Sequence, residues 1–247
     1  MPDQEAFVRA RNKVVGSTRQ QLGIGTLSEK AIHAVLKNYY EPDEDHQEIP
    51  VDNFVADIYV DGRITEIQTH QLGRLRDKLQ IFLPQYEVTV VHPIILEKWL
   101  ITTDKETGLL ERMRKSPKKE TVYDAFTELY QIKMFLKDPN LKIKLALIRI
   151  EEYRLVNYGD WDRTRESSTY DQIPSAFVEE VEINCLQDYM QFVPNELEGP
   201  FNSRTFAKAA KISMELAQKV LNILYYVGTL TRVGKEGNQY LYEVLDI

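Results

Sequence analysis

The sequence predicts an α/β fold, a mixed central sheet flanked by helices, followed by a smaller helical unit that ends in a β-hairpin. Three patterns carry that expectation. Residues 54–69 hold two β-rich runs around Asp61-Gly62, the kind of dipeptide that most strongly marks a two-residue hairpin. Two segments with helical apolar spacing, 70–83 and 121–137, each precede an expected strand, the β-branched run at 87–94 and the stretch 142–149, as where helices cross between strands. Near the carboxy terminus, two capped helical patterns run into a pair of short strands.

Taken in order, Thr26-Leu27-Ser28-Glu29 has the Thr-x-x-Glu form of a capping box, and Ile32, Val35, Leu36 and Tyr39 recur at helical spacing, so a helix is expected over 27–40. The acidic, proline-containing stretch 41–47 ends it, and short strands follow from 48 to 69. Leu72, Leu75, Leu79 and Phe82 share one face of the next helix, which Pro84 stops. The polar excursion before 121 contains Arg112, Arg114, Lys115, Lys118 and Lys119. It reads as a solvated surface loop or as a clamp on a phosphate backbone. From 157 to 175 the composition turns polar and periodicity fades, which marks a linker. A strand over 177–183 and a short helix over 184–192 follow. The chain thus divides into a core at 1–156, a linker and connecting strand at 157–183, and a unit at 184–247. In that unit Asn202 caps a helix to Ala210. Ser213 caps a second, with Leu216, Val220, Leu221, Leu224 and Val227, stopped by Gly228. Strands at 229–233 and 239–244 flank the last turn, and the order of helix, turn, longer helix and hairpin is that of a winged helix-turn-helix.

With 247 residues and 43% hydrophobic content, the chain has material for one large domain or two ordinary ones. The net charge is −7, but residues 199–247 carry six Lys/Arg against four Asp/Glu, so the acidity lies in the rest. That bulk argues against indiscriminate polyanion binding and leaves room for a local basic groove. A lone cysteine, Cys185, excludes a disulfide framework and a thiolate zinc site. No stretch approaches the ~18 apolar residues of a membrane span, and the first residues lack a secretory pattern. A cytoplasmic protein with no membrane partner is expected.

The chemistry is concentrated in the hairpin. If Val60 pairs with Arg63, Asp57 stands opposite Glu66 and Val55 opposite Gln68, all on one face. Opposed residues lie roughly 4.5–5.5 Å apart, and like charges there destabilise the pair. A divalent cation between them offsets that cost, since Mg²⁺ binds through one or two carboxylates and keeps its other positions for water and phosphate oxygens. A register shift or bulge would separate the acids instead. The flanking Val55, Ala56, Ile58, Ile64 and Ile67 read as a buried strand, where free acids are rare.

With helix, three strands, helix and strand in this order, and with Glu29, Asp57 and Glu66 as its acids, the stretch 26–100, extending toward 150, resembles the PD-(D/E)xK nuclease superfamily in its Holliday-junction-resolvase and RecB-like variety. The resemblance implies a restriction-endonuclease-like core, Mg²⁺ or Mn²⁺ as cofactor, and phosphodiester hydrolysis. Asp57 matches the strand aspartate, and Glu66-Ile67-Gln68 matches the (Asp/Glu)-x-Lys element with glutamine in place of lysine. By the same resemblance Asp57, Glu66 and the Ile67 carbonyl would hold the metal, and Glu29, Asp57, Glu66 and Gln68 form the catalytic set. Lys78 or Arg74 on the next helix would supply the missing cation.

Other residues carry competing readings. Glu29 is explained equally by the capping box. His33, one turn further on, reads as a packed or surface histidine, His70 as a helix-start residue able to meet phosphate, and His92 as a strand-end residue. In the carboxy-terminal unit Lys219 and Asn222 would enter the major groove beside Glu215 and Gln218, and Arg232 and Lys235 would meet phosphates. The expected function is a divalent-metal-dependent nuclease, acting on DNA or on RNA. The alternative is an inactive nuclease-fold scaffold that binds DNA or protein, which Gln68 favours.

Overall fold

A seven-stranded mixed sheet organises the chain, and the expected hairpin lies within it. The computed structural model describes residues 1–21, 30–104, 110–158 and 165–245. Helices α1 (Gln4–Gln21) and α2 (Lys30–Tyr40) precede β1 (Gln47–Val51), β2 (Phe54–Val60) and β3 (Arg63–Ile67). A 3-10 turn and α3 (Arg76–Phe82) lead into β4 (Glu87–Asp104) and β5 (Leu110–Lys115). Next come α4 (Ala125–Leu129), set between 3-10 turns, and the long pair β6 (Leu141–Tyr158) and β7 (Arg165–Ile183). A 3-10 segment at Leu186–Phe192, α5 (Ser203–Ala210), α6 (Met214–Val227) and the hairpin of β8 (Leu230–Glu236) and β9 (Gln239–Val244) follow.

The strand order is β1-β2-β3-β4-β6-β7, with β5 added to β4. β1, β2 and β3 run antiparallel, β3, β4 and β6 are parallel, and β7 returns antiparallel. Asp61 and Gly62 have φ of 48° and 77°, the double positive-φ turn whose twist suits a hairpin. The register is the expected one, Val60 with Arg63, Tyr59 with Ile64 and Ile58 with Thr65. Along one edge β4 serves two neighbours in turn. β3 pairs with it as far as Ile67 and Val91, and β5 takes over from Trp99. The gap lies at the carboxyl end of β3. Glu120 closes part of it, its carboxylate accepting from the Ile95 N–H at 2.8 Å.

Each sheet face has its own helices. On one, Leu75, Leu79, Phe82, Phe126 and Leu129 pack on Ile64, Val88 and Val90. On the other, Phe7, Val14, Ile32, Val35 and Leu36 cover Ile58, Ile67, Val91 and Phe177.

Several expectations need correction. Helix α1, with Phe7, Ala10 and Val14 buried at helical spacing, was not anticipated. The basic excursion is partly a strand, β5, whose backbone pairs with β4 although its side chains are exposed. The helix over 121–137 is broken into short pieces, with non-helical geometry at Ile132. Within the polar stretch 157–175, residues from 165 onward belong to β7, held by its ladder to β6. The expected linker therefore lacks the character of a free connection where it is described. Nor do 1–156 and 184–247 pack apart, because one apolar cluster runs from α3 through α4 to Phe206, Val220 and Leu224. Aromatic contacts cross it, Phe126 with Phe192 at 5.0 Å and Tyr123 with Phe206 at 6.1 Å between ring centroids. Residues 27–29, at the head of the first expected helix, lie outside the described residues, and Glu29 with them.

Candidate active site

The β2–β3 ladder stops at Ile58 and Thr65, one position short of the two acids. Neighbouring N–H groups along β3 point to opposite edges. Gln68 N–H reaches the Val91 carbonyl of β4 at 3.0 Å, which leaves the Ile67 N–H facing β2. The Asp57 carboxylate accepts it, Oδ2 to N at 2.8 Å. The same oxygen lies 3.2 Å from His33 Nε2 on α2. A side chain thus replaces a ladder bond, and the strand ends open around it.

Glu66 points to the α3 side and is 1% exposed. Its Oε2 accepts from Lys78 Nζ at 2.7 Å, and the same ammonium donates to the Val55 carbonyl at 2.7 Å. Its Oε1 is buried and has no partner in hydrogen-bonding geometry among the described residues, although the Asp57 backbone N–H lies close enough to draw the carboxyl's pKa down. An acceptor left in this state costs about 1–3 kcal/mol. Burial and the neighbouring Asp57 charge push the Glu66 carboxyl up to about 7 against the pull of Lys78. Burial raises Asp57 too, but the His33 hydrogen bond and charge, with the Ile67 N–H, outweigh it and hold Asp57 below its ordinary value. Two acids nine residues apart across a hairpin are therefore driven in opposite directions.

The expected set is thus partly assembled. Asp57, Glu66 and Lys78 come together. Of the two helix cations, Lys78 makes the contact, while Arg74 is exposed in the 3-10 turn. Ile67 contributes its N–H to Asp57. Gln68 turns aside, its amide donating to the His70 carbonyl at 2.6 Å, so it shapes the exit from β3 rather than facing the acids. His33 is the residue that sequence reasoning set aside. Its place in the sequence four residues after Glu29, a spacing that the expected helix would put on one face, was the available signal.

The carboxy-terminal residues are engaged differently from expectation. Asn222 Oδ1 accepts from Lys133 Nζ at 2.7 Å, so its carbonyl oxygen is turned to the 3-10 segment that follows α4. Lys219 pairs with Glu215 of its own helix at 3.1 Å. The Arg232 guanidinium sits over Tyr240 at 3.9 Å and Tyr225 at 4.3 Å, and Lys235 over Tyr240 at 4.8 Å, so both cations are stacked on aromatic rings.

Among the described residues, no group of three or more His, Cys, Asp or Glu is placed to hold a metal. A closed cage is thus not on offer there. The donor set suits a hard cation that keeps most of its water, which needs only one or two carboxylates. The orphaned Glu66 oxygen is consistent with that fit. At the carboxyl end of β3, where α/β sheets place ligands, lies a crevice of about 370 Å³ lined by Thr69, His70, His92, Lys118 and Gln172, with neither Asp57 nor Glu66 in its wall. His92 Nδ1 meets the Gln68 carbonyl at 2.8 Å and so carries the proton. Burial holds its pKa below the ordinary value. No described helix is long and apolar enough to cross a membrane.

A family model described as Domain of unknown function (DUF8091) matches residues 30–184, the span that contains the hairpin, its acids and all of β4 to β7. An uncharacterized protein of Treponema pallidum (strain Nichols) is 33% identical over 129 residues, covering 52% of this chain and 51% of its own. The chain thus spans about half the length of this curated relative. No solved structure matches.

Proposed function

We propose that this chain, which belongs to the DUF8091 family, is a divalent-cation-dependent nuclease hydrolysing phosphodiesters, most directly those of DNA. One observation carries the proposal. Glu66, buried beside a second acid, keeps one oxygen without a partner, while Lys78 reaches it from the following helix. On this reading α2 through β4 form a restriction-endonuclease-like core, and α5, α6 and the β8–β9 hairpin form a winged helix. Mg²⁺ or Mn²⁺ held by Asp57 and Glu66 would lower the pKa of bound water and neutralise charge on the scissile phosphate. The residues' own tasks follow from their contacts. His33 and the Ile67 N–H orient Asp57 and keep it ionised. Lys78, held between Glu66 and the Val55 carbonyl, keeps a positive charge where a phosphate would gather negative charge, the role that Gln68 lacks. To hold a cation, Glu66 would have to give up its proton.

A second reading has its own observation. The Lys78–Glu66 pair at 2.7 Å and the His33–Asp57 pair at 3.2 Å balance both acids without a cation, as an inactive scaffold would require. Supercoiled plasmid and labelled single strands incubated with Mg²⁺, Mn²⁺ or EDTA separate the two. The nuclease reading expects cleavage by the wild type with metal and none by Glu66→Gln. If the wild type cuts no substrate with either metal, the scaffold reading replaces it.

A further inference from the structure

Between α6 and the β8–β9 hairpin lies a cavity of about 240 Å³, walled by Gln218, Asn222, Asn238, Gln239, Tyr240 and Tyr242. Four side-chain amides meet two tyrosine rings in a space smaller than the ~300–1,000 Å³ of clefts that take drug-sized ligands. It has room for a single flat ring system. Lys133 has donors only, so its 2.7 Å contact fixes the Asn222 carbonyl oxygen toward it and leaves the amide NH₂ as the group available elsewhere. Gln239 Oε1 is buried without a hydrogen-bond partner, an acceptor that this wall leaves unused. Adjoining the cavity is a stack in which Arg232 lies over both Tyr240 and Tyr225, residues that are 40% and 41% exposed. Lys235 lies over Tyr240 as well. Amides that present donors and acceptors, partly exposed tyrosines, and two cations beside them are complementary to one ligand chemistry, a nucleobase on a phosphate backbone.

We infer that this cavity and its tyrosine–arginine stack form a binding site for unpaired bases of a single-stranded nucleic acid. A duplex is a poorer fit. The exposed stripe of α6 holds Met214, Glu215, Gln218 and Tyr225, with an acid and two bulky apolar groups where groove contacts would fall, and the opposite side of the helix is packed in the core. Bases splayed from their partners offer faces to Tyr225 and Tyr240 and edges to the amides. The inference does not depend on cleavage by the Asp57–Glu66 site, because binding can be read without metal.

The test is fluorescence anisotropy of the full chain, in EDTA, with a labelled oligo-dT, the same length of abasic strand and a duplex. The abasic strand keeps the phosphates and removes the bases. Wild type should bind oligo-dT at least about five-fold tighter than the abasic strand, the lower range of one base–aromatic stack. Tyr240→Ala should erase most of that difference, Tyr240→Phe should keep it, and Asn238→Ala, at an exposed position, should reduce it without disturbing the fold. Thermal melting checks that each variant is folded. Equal affinity for the abasic strand and oligo-dT, tighter binding of the duplex, or binding of free dTMP as tight as of the strand would each overturn the inference.

Discussion

Two buried glutamates in the same sheet each lean on a lysine, and only one of them looks poised for chemistry. Glu152 on β6 is 2% exposed and Glu66 on β3 is 1% exposed. Lys98 reaches Glu152 at 2.6 Å, and Lys78 reaches Glu66 at 2.7 Å. The difference is in the remaining oxygens. Glu152 also accepts from Arg154 at 2.7 Å, Gln172 at 3.0 Å and Thr169 at 3.3 Å, and its carboxyl is held below the ordinary value despite its burial. Glu66 keeps an unpartnered oxygen, faces a second acid and is pushed up to about 7. Burial with a lysine therefore does not mark a site. An unfilled acceptor beside a like charge is the feature on which the metal-site proposal rests.

The comparison can be broken by exchanging the same substitution between the two places. Glu66→Gln should abolish metal-dependent cleavage, by more than the ~10–100-fold loss typical of an outer-shell partner, as product formation on plasmid will show. Glu152→Gln should leave cleavage by folded protein intact. In urea unfolding the order reverses. Glu152→Gln leaves Lys98 and Arg154 without their anion and should cost about 2–3 kcal/mol, whereas Glu66→Gln relieves repulsion and should cost little at pH 8. An equal loss in both would remove the distinction.

The pH dependence of stability sharpens it. Folded Glu66 titrates near 7, against an ordinary value of 4.5, so between these limits the folded state holds a proton that the unfolded state has released. Stability from this group therefore falls as pH rises through that window, by up to about 1.4 kcal/mol per pH unit. Glu152, lowered in the folded state, works the other way. Its contribution is present above its unfolded value and lost as pH falls through the folded one. Urea melts in EDTA from pH 4 to 8 should show the first slope vanish in Glu66→Gln and persist in Glu152→Gln. A smaller effect is expected at His33, where His33→Ala should weaken metal affinity roughly ten-fold by freeing Asp57 to turn, read by calorimetry.

Much of this geometry was legible because it is local. Asp61-Gly62 sets the turn, the turn sets the register, and the register brings Asp57 and Glu66 to adjoining positions. Lys78 was legible as a cation on the helix that follows β3. What escaped was decided by distant partners. The exposed β5 has no apolar alternation to betray it and is a strand because β4 offers an edge. β7 carries polar residues because its ladder to β6, rather than its side-chain pattern, holds it. Asn222 reads as an exposed polar helix residue until Lys133, 89 positions earlier, claims its oxygen. His33 matters only through a strand residue 24 positions away.

Calorimetric titration of Mn²⁺ into wild type, Glu66→Gln and Glu152→Gln at pH 8 tests the central claim most directly. The unpartnered Glu66 oxygen predicts saturable binding to wild type and Glu152→Gln, and its loss in Glu66→Gln while that protein stays folded. The same binding heat in all three proteins would contradict it.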